Sequence, residues 1–69
     1  MNIVEEAIAA AKGLQPLADA CGVKYQAIQK WRRQGKVPAE RVLAVEAATG
    51  GKITRSQLRP DIYPKGKAA

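Results

Sequence analysis

The sequence contains no histidine, no phenylalanine and a single cysteine, Cys21. Without histidine, neither a Ser-His nor a Cys-His catalytic pair can form, and a zinc site is not expected. One cysteine excludes a disulfide within the chain and suits a reducing compartment. The sequence contains no run of about 18 apolar residues, so no transmembrane helix is predicted. The acidic start at residues 1–6 is unlike a secretory signal. We therefore expect a cytoplasmic protein that is not an enzyme, with no metal, cofactor, membrane or small-molecule substrate.

Aromatic side chains are also scarce, at 4% of the 69 residues, whereas alanine is abundant. A chain of this length has room for one small domain, and its core must be thin and helical. We predict a single domain over residues 1–63. Residues 64–69, which include Lys65 and Lys67, are predicted to form a flexible basic tail.

Acidic residues are few relative to basic ones, since six Asp and Glu stand against twelve Lys and Arg, for a net charge of +6. The excess is concentrated in residues 20–41, which hold six basic residues and one acidic residue. A cluster of positive charge is typical of proteins whose partner is a polyanion such as nucleic acid. The same cluster can also be a solvated surface, so charge alone leaves both interpretations open.

Glycine and proline divide the chain into about five short helices. Asn2 and Glu5 form a capping-box pattern that predicts the start of the first helix, and Gly13 ends it. Pro16 suits the first turn of the second helix, where its missing N–H is not needed. Gly22 ends that second helix.

The same signals continue in the second half of the chain. Pro38 is suited to the start of a fourth helix, which Gly50 and the glycine after it end. Thr54 and Gln57 repeat the capping-box pattern and predict a short fifth helix that Pro60 terminates.

A second interpretation concerns residues 37–58, which could instead form a β-hairpin. The only strand candidate is the short stretch 52–54, and the alanine-rich run 39–48 favours helix over strand. We therefore predict an all-α fold, a small bundle of about five short helices, with an α+β fold carrying a C-terminal β-hairpin as the rival.

Seven positions follow the spacing that a helix-turn-helix requires. Where two helices cross closely, the first needs a small residue, and the turn four residues later needs one that accepts a positive φ. Ala18 and Gly22 meet these two requirements. The full set is Leu17, Ala18, Cys21, Gly22, Val23, Ile28 and Trp31. A plain helical hairpin with the same packing is the alternative.

The outward face of the third helix, at about residues 24–33, carries side chains that can read DNA. In the major groove, one glutamine amide can hydrogen-bond both N6 and N7 of adenine, and lysine can donate to O6 and N7 of guanine. We predict base contacts at Tyr25, Gln26, Gln29 and Lys30. We predict phosphate contacts at Gln15, Lys24, Arg32, Arg33 and Lys36.

Three predictions concern residues away from this face. Trp31 continues the inward stripe of Ala27 and Ile28, so it is expected in the core, and Cys21 is expected to be a small buried residue. Arg55 and Arg59 can pair with Glu46 or Asp61 instead of contacting DNA.

Two sets of residues carry a resemblance to a known family. The first is Leu17-Ala18, Gly22-Val23, Ala27-Ile28 and Trp31; the second is Val37-Pro38-Ala39-Glu40-Arg41, Ala48-Thr49-Gly50-Gly51-Lys52-Ile53-Thr54-Arg55 and Leu58-Arg59-Pro60-Asp61-Ile62-Tyr63-Pro64. Over about residues 13–64 the chain resembles the small phage Cro and YdaS-type antitoxin proteins of the lambda-repressor-like helix-turn-helix class. Lys24 departs from the capping Ser or Thr of many relatives, so the third helix is expected to be weakly capped.

The resemblance implies a Cro-like transcriptional repressor, encoded by a phage or prophage, that binds double-stranded operator DNA as a homodimer. One recognition helix reads only a few base pairs, so two copies are expected to read two half-sites. We predict the dimer contact at apolar residues of the second half: Val42, Leu43, Val45, Leu58, Ile62 and Tyr63. The alternative is an antitoxin that binds a toxin protein and regulates its own genes.

Overall fold

The computed structural model describes residues 2–64, which form five α-helices and one short 3-10 helix. The α-helices are α1 (Ile3–Ala10), α2 (Leu14–Cys21), α3 (Tyr25–Gln34), α4 (Val42–Ala48) and α5 (Arg55–Leu58), and the 3-10 helix is Ala39–Arg41. Residues 2–64 contain no β-strand, so the predicted all-α fold is confirmed and the rival β-hairpin is wrong. None of these helices is long and apolar enough to cross a membrane. The predicted basic tail, apart from Pro64, lies outside the described residues.

Capping boxes begin α1 and α5, as predicted. At α1 the side-chain oxygen of Asn2 accepts a hydrogen bond from the Glu5 backbone N–H at 2.9 Å, and the Glu5 carboxylate accepts from the Asn2 N–H at 3.0 Å. At α5 the Thr54 N–H donates to the Gln57 side-chain oxygen at 2.8 Å. Each box satisfies backbone N–H groups that have no partner within the first turn of a helix.

Gly22 makes the tight turn between α2 and α3 possible. Its φ of 70° lies in the left-handed region that residues with a Cβ rarely adopt. The Val23 N–H then donates to the Ala18 carbonyl at 3.0 Å, which closes the end of α2. Ala18 is fully buried, and α2 packs against α3 and α4. The predicted helix-turn-helix is therefore confirmed.

The core is built from apolar side chains of all five α-helices and of two residues between helices, Val37 and Ile53. Its members are Val4, Ala7, Leu17, Ala18, Cys21, Ile28, Trp31, Val37, Val42, Val45, Ile53 and Leu58. Trp31 is buried, as predicted, and supplies the core with its one large aromatic ring. Burial also raises the pKa of the Cys21 thiol, against a smaller opposite effect of Arg41. The predictions that Trp31 and Cys21 pack inside the domain are confirmed.

Two helices begin later than predicted. Lys24 is extended, with φ −81° and ψ 153°, and gives no side-chain cap, so α3 starts at Tyr25. Pro38 is also extended, and the chain makes the 3-10 turn of residues 39–41 before α4 starts at Val42. Such tight turns are common at helix starts, where the first N–H groups have no partner in an α-helical register.

Only part of the apolar surface predicted for a dimer contact is available to a partner. Val42, Val45 and Leu58 are buried in the core of the single chain, so their assignment to that contact is corrected. Leu43 and Ile62 are 50% and 43% exposed. Successive helical residues are about 100° apart, so Leu43 cannot share the inward face of its neighbours on α4.

Both predicted arginine–carboxylate pairs are present around α5. The Arg55 backbone N–H and side chain hydrogen-bond the Glu46 carboxylate, and these bonds lower its pKa, the backbone bond most of all. Arg59 donates to both oxygens of Asp61, through Nε at 3.0 Å and Nη2 at 2.8 Å. Its Nη1 donates to the Val37 carbonyl at 2.9 Å. The turn after α5 is therefore tied to the segment that follows α3.

The pair of Arg59 and Asp61 predicts a change of stability in acid. The pKa of Asp61 falls from 3.8 to about 2, chiefly because the Arg59 side chain donates to its ionised carboxylate. A carboxyl with a lowered folded-state pKa stabilises the fold above about pH 4, and this contribution is lost as the pH falls through 2. We expect Asp61→Asn to lower the thermal midpoint at pH 7 and to have a progressively smaller effect towards pH 2. Thermal melts that keep the same difference at every pH would contradict this.

Candidate nucleic-acid interface

Helix α3 divides its side chains between the core and the solvent. Ile28 and Trp31 are buried, and Ala27 packs beside them. The outward side chains form two stripes with spacings of four and three residues, which place each stripe along one side of the helix. The stripes are Tyr25, Gln29 and Arg32, and beside them Gln26, Lys30 and Arg33.

The four predicted base-contacting residues lie in the first two turns of α3. Gln26 and Lys30 are exposed, Tyr25 is 42% exposed, and Gln29 is half-buried. In helix-turn-helix proteins the N-terminal part of the second helix meets the base edges in the major groove. The amide of Gln26 and the ammonium of Lys30 lie one turn apart on this face, so they can donate to successive base pairs.

Cationic side chains surround this face without acidic partners. The four predicted to bind phosphate are all exposed: Lys24, Arg32, Arg33 and Lys36. Within residues 2–64 the ion pairs are those of Arg55 with Glu46 and of Arg59 with Asp61. None of the four cations therefore forms an ion pair in this part of the chain, although the charge of Lys36 contributes to lowering the pKa of Asp61. The net positive field that remains attracts a polyanion.

Gln15 is the predicted phosphate contact that lies outside α3. It stands in the first turn of α2, where Pro16 has no N–H to offer an anion. Its side-chain amide donates to Asp19 Oδ1 at 2.7 Å, between two exposed residues one turn apart. A phosphate at this position would have to share the amide with the Asp19 carboxylate, so Gln15 is the weakest of the predicted contacts.

The family model described as "Bacterial toxin YdaS" matches residues 4–67, nearly the whole sequence. The chain belongs to this family. Its predicted resemblance to YdaS-type proteins is therefore confirmed.

Two relatives of this YdaS-family chain are informative. It is 36% identical over 59 residues to YdaS of Escherichia coli (strain K12), which is named as a candidate transcriptional regulator; the match covers 84% of this chain and 60% of that protein. The chain thus spans about 60% of the length of the curated relative. It is 40% identical to the Cro protein from a candidate prophage element, Xfaso 1, of Xylella fastidiosa strain Ann-1, with a TM-score of 0.84 over 90% of this chain and 95% of that one.

Two contacts behind the interface of the YdaS-family chain were not predicted from its sequence. The Asn2 side-chain Nδ2 donates to the Arg32 carbonyl at 2.9 Å, and Arg59 Nη1 donates to the Val37 carbonyl. The capping box had identified Asn2, and the ion pair had identified Arg59. Their second partners are backbone carbonyls 30 and 22 positions away, and a backbone carbonyl leaves no signal in the sequence.

Proposed function

We propose that the chain is a sequence-specific DNA-binding transcriptional regulator, a Cro-like repressor that reads operator DNA through α3. The observation that carries this is the outward face of α3, where amides and cations without acidic partners stand on a helix held by a helix-turn-helix core. The likeness to a prophage Cro protein and to a relative named as a candidate transcriptional regulator supports it. Such a regulator works in the bacterial cytoplasm on phage or prophage genes.

The residues of the interface divide into two roles. Tyr25, Gln26, Gln29 and Lys30 contact base edges, because they occupy the part of α3 that enters the groove. Lys24, Arg32, Arg33, Lys36 and, more weakly, Gln15 contact phosphates, which orient the domain without reading sequence. Residues 1–63 form the single domain that carries both roles.

Two copies act together on a two-fold symmetric site. Half-sites about 34 Å apart would place two α3 helices in successive turns of the major groove. The surface that remains for the contact between copies is apolar and small, with Leu43 and Ile62 exposed and Tyr63 half-buried. A contact of this size is weak, so the copies pair mainly on the operator.

A second candidate function is an antitoxin that binds a toxin protein and regulates its own genes. The observation that favours it is the apolar surface that the exposed Leu43 and Ile62 offer to a protein partner. Size-exclusion chromatography with the products of neighbouring genes separates the two candidates. Co-elution of one such protein with the chain in the absence of DNA would favour the antitoxin.

Glutamine substitutions on α3 test the proposal. Gln26→Ala and Gln29→Ala are each expected to cost about 1–3 kcal/mol of binding to a duplex selected from a random library, and little on random DNA. Arg33→Ala should weaken binding to both duplexes alike, because a phosphate is present at every sequence. Fluorescence anisotropy titrations on both duplexes give these values.

The matched control is Gln34→Ala, the same substitution at the exposed last residue of α3, which has no predicted contact. It should leave both affinities unchanged. If Gln26→Ala and Gln29→Ala each weaken binding to the selected and the random duplex equally, these glutamines do not read bases.

A further inference from the structure

Within residues 2–64, two side-chain hydrogen bonds link residues that lie more than nine positions apart in the sequence. Both are accepted by backbone carbonyls of the same short stretch. Asn2 Nδ2 donates to the Arg32 carbonyl, and Arg59 Nη1 donates to the Val37 carbonyl, each at 2.9 Å. The donors come from opposite ends of the domain. The two acceptors are the first and last carbonyls of residues 32–37, here named the basic segment. This segment contains three of the predicted phosphate contacts.

Asn2 joins the start of α1 to the end of α3. Its oxygen caps α1 through the Glu5 N–H, while its nitrogen donates to the carbonyl of Arg32 in the last turn of α3. The same carbonyl accepts the Gly35 N–H at 3.2 Å, and Gly35, with a φ of 70°, ends the helix there. One amide group thus connects the first helix to the point where the chain leaves α3.

Arg59 holds the other end of the basic segment. Only 14% of its side-chain surface is exposed, and two bonds to Asp61 keep its guanidinium in one orientation. In that orientation Nη1 is aimed at the carbonyl of Val37, whose side chain is fully buried in the core. The backbone of the basic segment is therefore held by a side chain at each end.

We propose that Asn2 and Arg59 are positioning residues of the DNA interface. By holding the backbone of the basic segment, they keep Arg32, Arg33 and Lys36 where these residues can meet their phosphates together. The inference rests on the proposed function, since it assigns these cations to phosphates. If this backbone is loose, the three cations do not all stay on their phosphates at once, and the complex neutralises fewer phosphates.

The substitution Asn2→Ser separates the two bonds of Asn2. Serine is as good a helix cap as asparagine, but its side chain is too short to cap α1 and also reach the Arg32 carbonyl. We expect the affinity for a selected duplex to fall about threefold to tenfold, the usual effect of one lost hydrogen bond, because one of the three cations no longer stays on its phosphate. The slope of log K against log salt should become shallower by about one for each phosphate contact that is lost.

The salt slope distinguishes positioning from a general loss of stability. Ala9→Gly is the matched control, because it weakens α1 at an exposed position and touches neither bond. Its folded molecules keep every phosphate contact, so its slope should equal that of the wild type. Arg59→Lys keeps the charge but loses the planar guanidinium that joins Asp61 to Val37, and its slope should become shallower like that of Asn2→Ser.

All titrations are made at a temperature where circular dichroism shows each variant folded. Wild-type slopes in both Asn2→Ser and Arg59→Lys would overturn the positioning role while leaving DNA binding by the wild type intact. A wild type that selects no duplex would instead overturn the proposed function itself.

Discussion

Replacing Ile28 by alanine is expected to lower the free energy of unfolding by about 2–5 kcal/mol, the usual effect of deleting a large aliphatic side chain from a core. Ile28 is fully buried and lies on the inward side of the helix whose outward side carries the candidate interface. A domain of this length has a total stability of roughly 3–10 kcal/mol. The substitution therefore removes a large part of it, and with it the support of α3.

Thermal melting followed by circular dichroism measures this effect, with an expected fall in midpoint of at least about 10 °C. The fluorescence of Trp31, the single tryptophan of the chain, reports the same region because it lies one turn further along the inward face of α3. Lys30→Ala, an exposed substitution two positions away, should stay within about 0.5 kcal/mol of the wild type. An Ile28→Ala protein that melts like Lys30→Ala would show that Ile28 does not anchor α3.

Raising the salt concentration from about 50 to 200 mM is expected to weaken DNA binding by about four orders of magnitude if two copies bind together. Each chain presents four exposed cations that are assigned to phosphates: Lys24, Arg32, Arg33 and Lys36. Each neutralised phosphate contributes about −0.9 to the slope of log K against log salt, which gives about −7 for two copies and about −4 for one. The measured slope therefore also counts the copies on the DNA.

A pair of charge substitutions locates the source of this salt dependence. Arg33→Ala should make the slope shallower by about one unit per bound copy. Lys52→Ala, which removes the same charge from the exposed loop between α4 and α5, should leave the slope as it is. An affinity that stays constant over this range of salt, or equal effects of the two variants, would contradict phosphate binding around α3.

Much of the fold was predictable because its signals are local. The capping boxes at Asn2 and Thr54 and the left-handed turn at Gly22 each depend on residues a few positions apart. The outward face of α3 was predictable for the same reason, since helical periodicity alone assigns Ile28 inward and Gln26 outward. Family resemblance agreed with these local signals in both halves of the chain.

Besides the two helix starts, the features that were misassigned or missed depend on how the side chains pack in the folded domain. Apolar character alone did not separate Leu43, which is exposed, from Val42 and Val45, which the core already uses. The contacts of Asn2 and Arg59 with the backbone around α3 depend on how the two ends of the domain meet. No spacing rule over a few residues contains that information.

The most direct test of DNA reading by α3 is amide chemical-shift mapping on a duplex enriched from a random double-stranded library. If α3 reads DNA, one sequence is enriched and the large shifts fall on residues 24–34 and on Lys36, with small shifts in α1 and α5. Failure to enrich any sequence, or large shifts confined to α1 and α5, would contradict it.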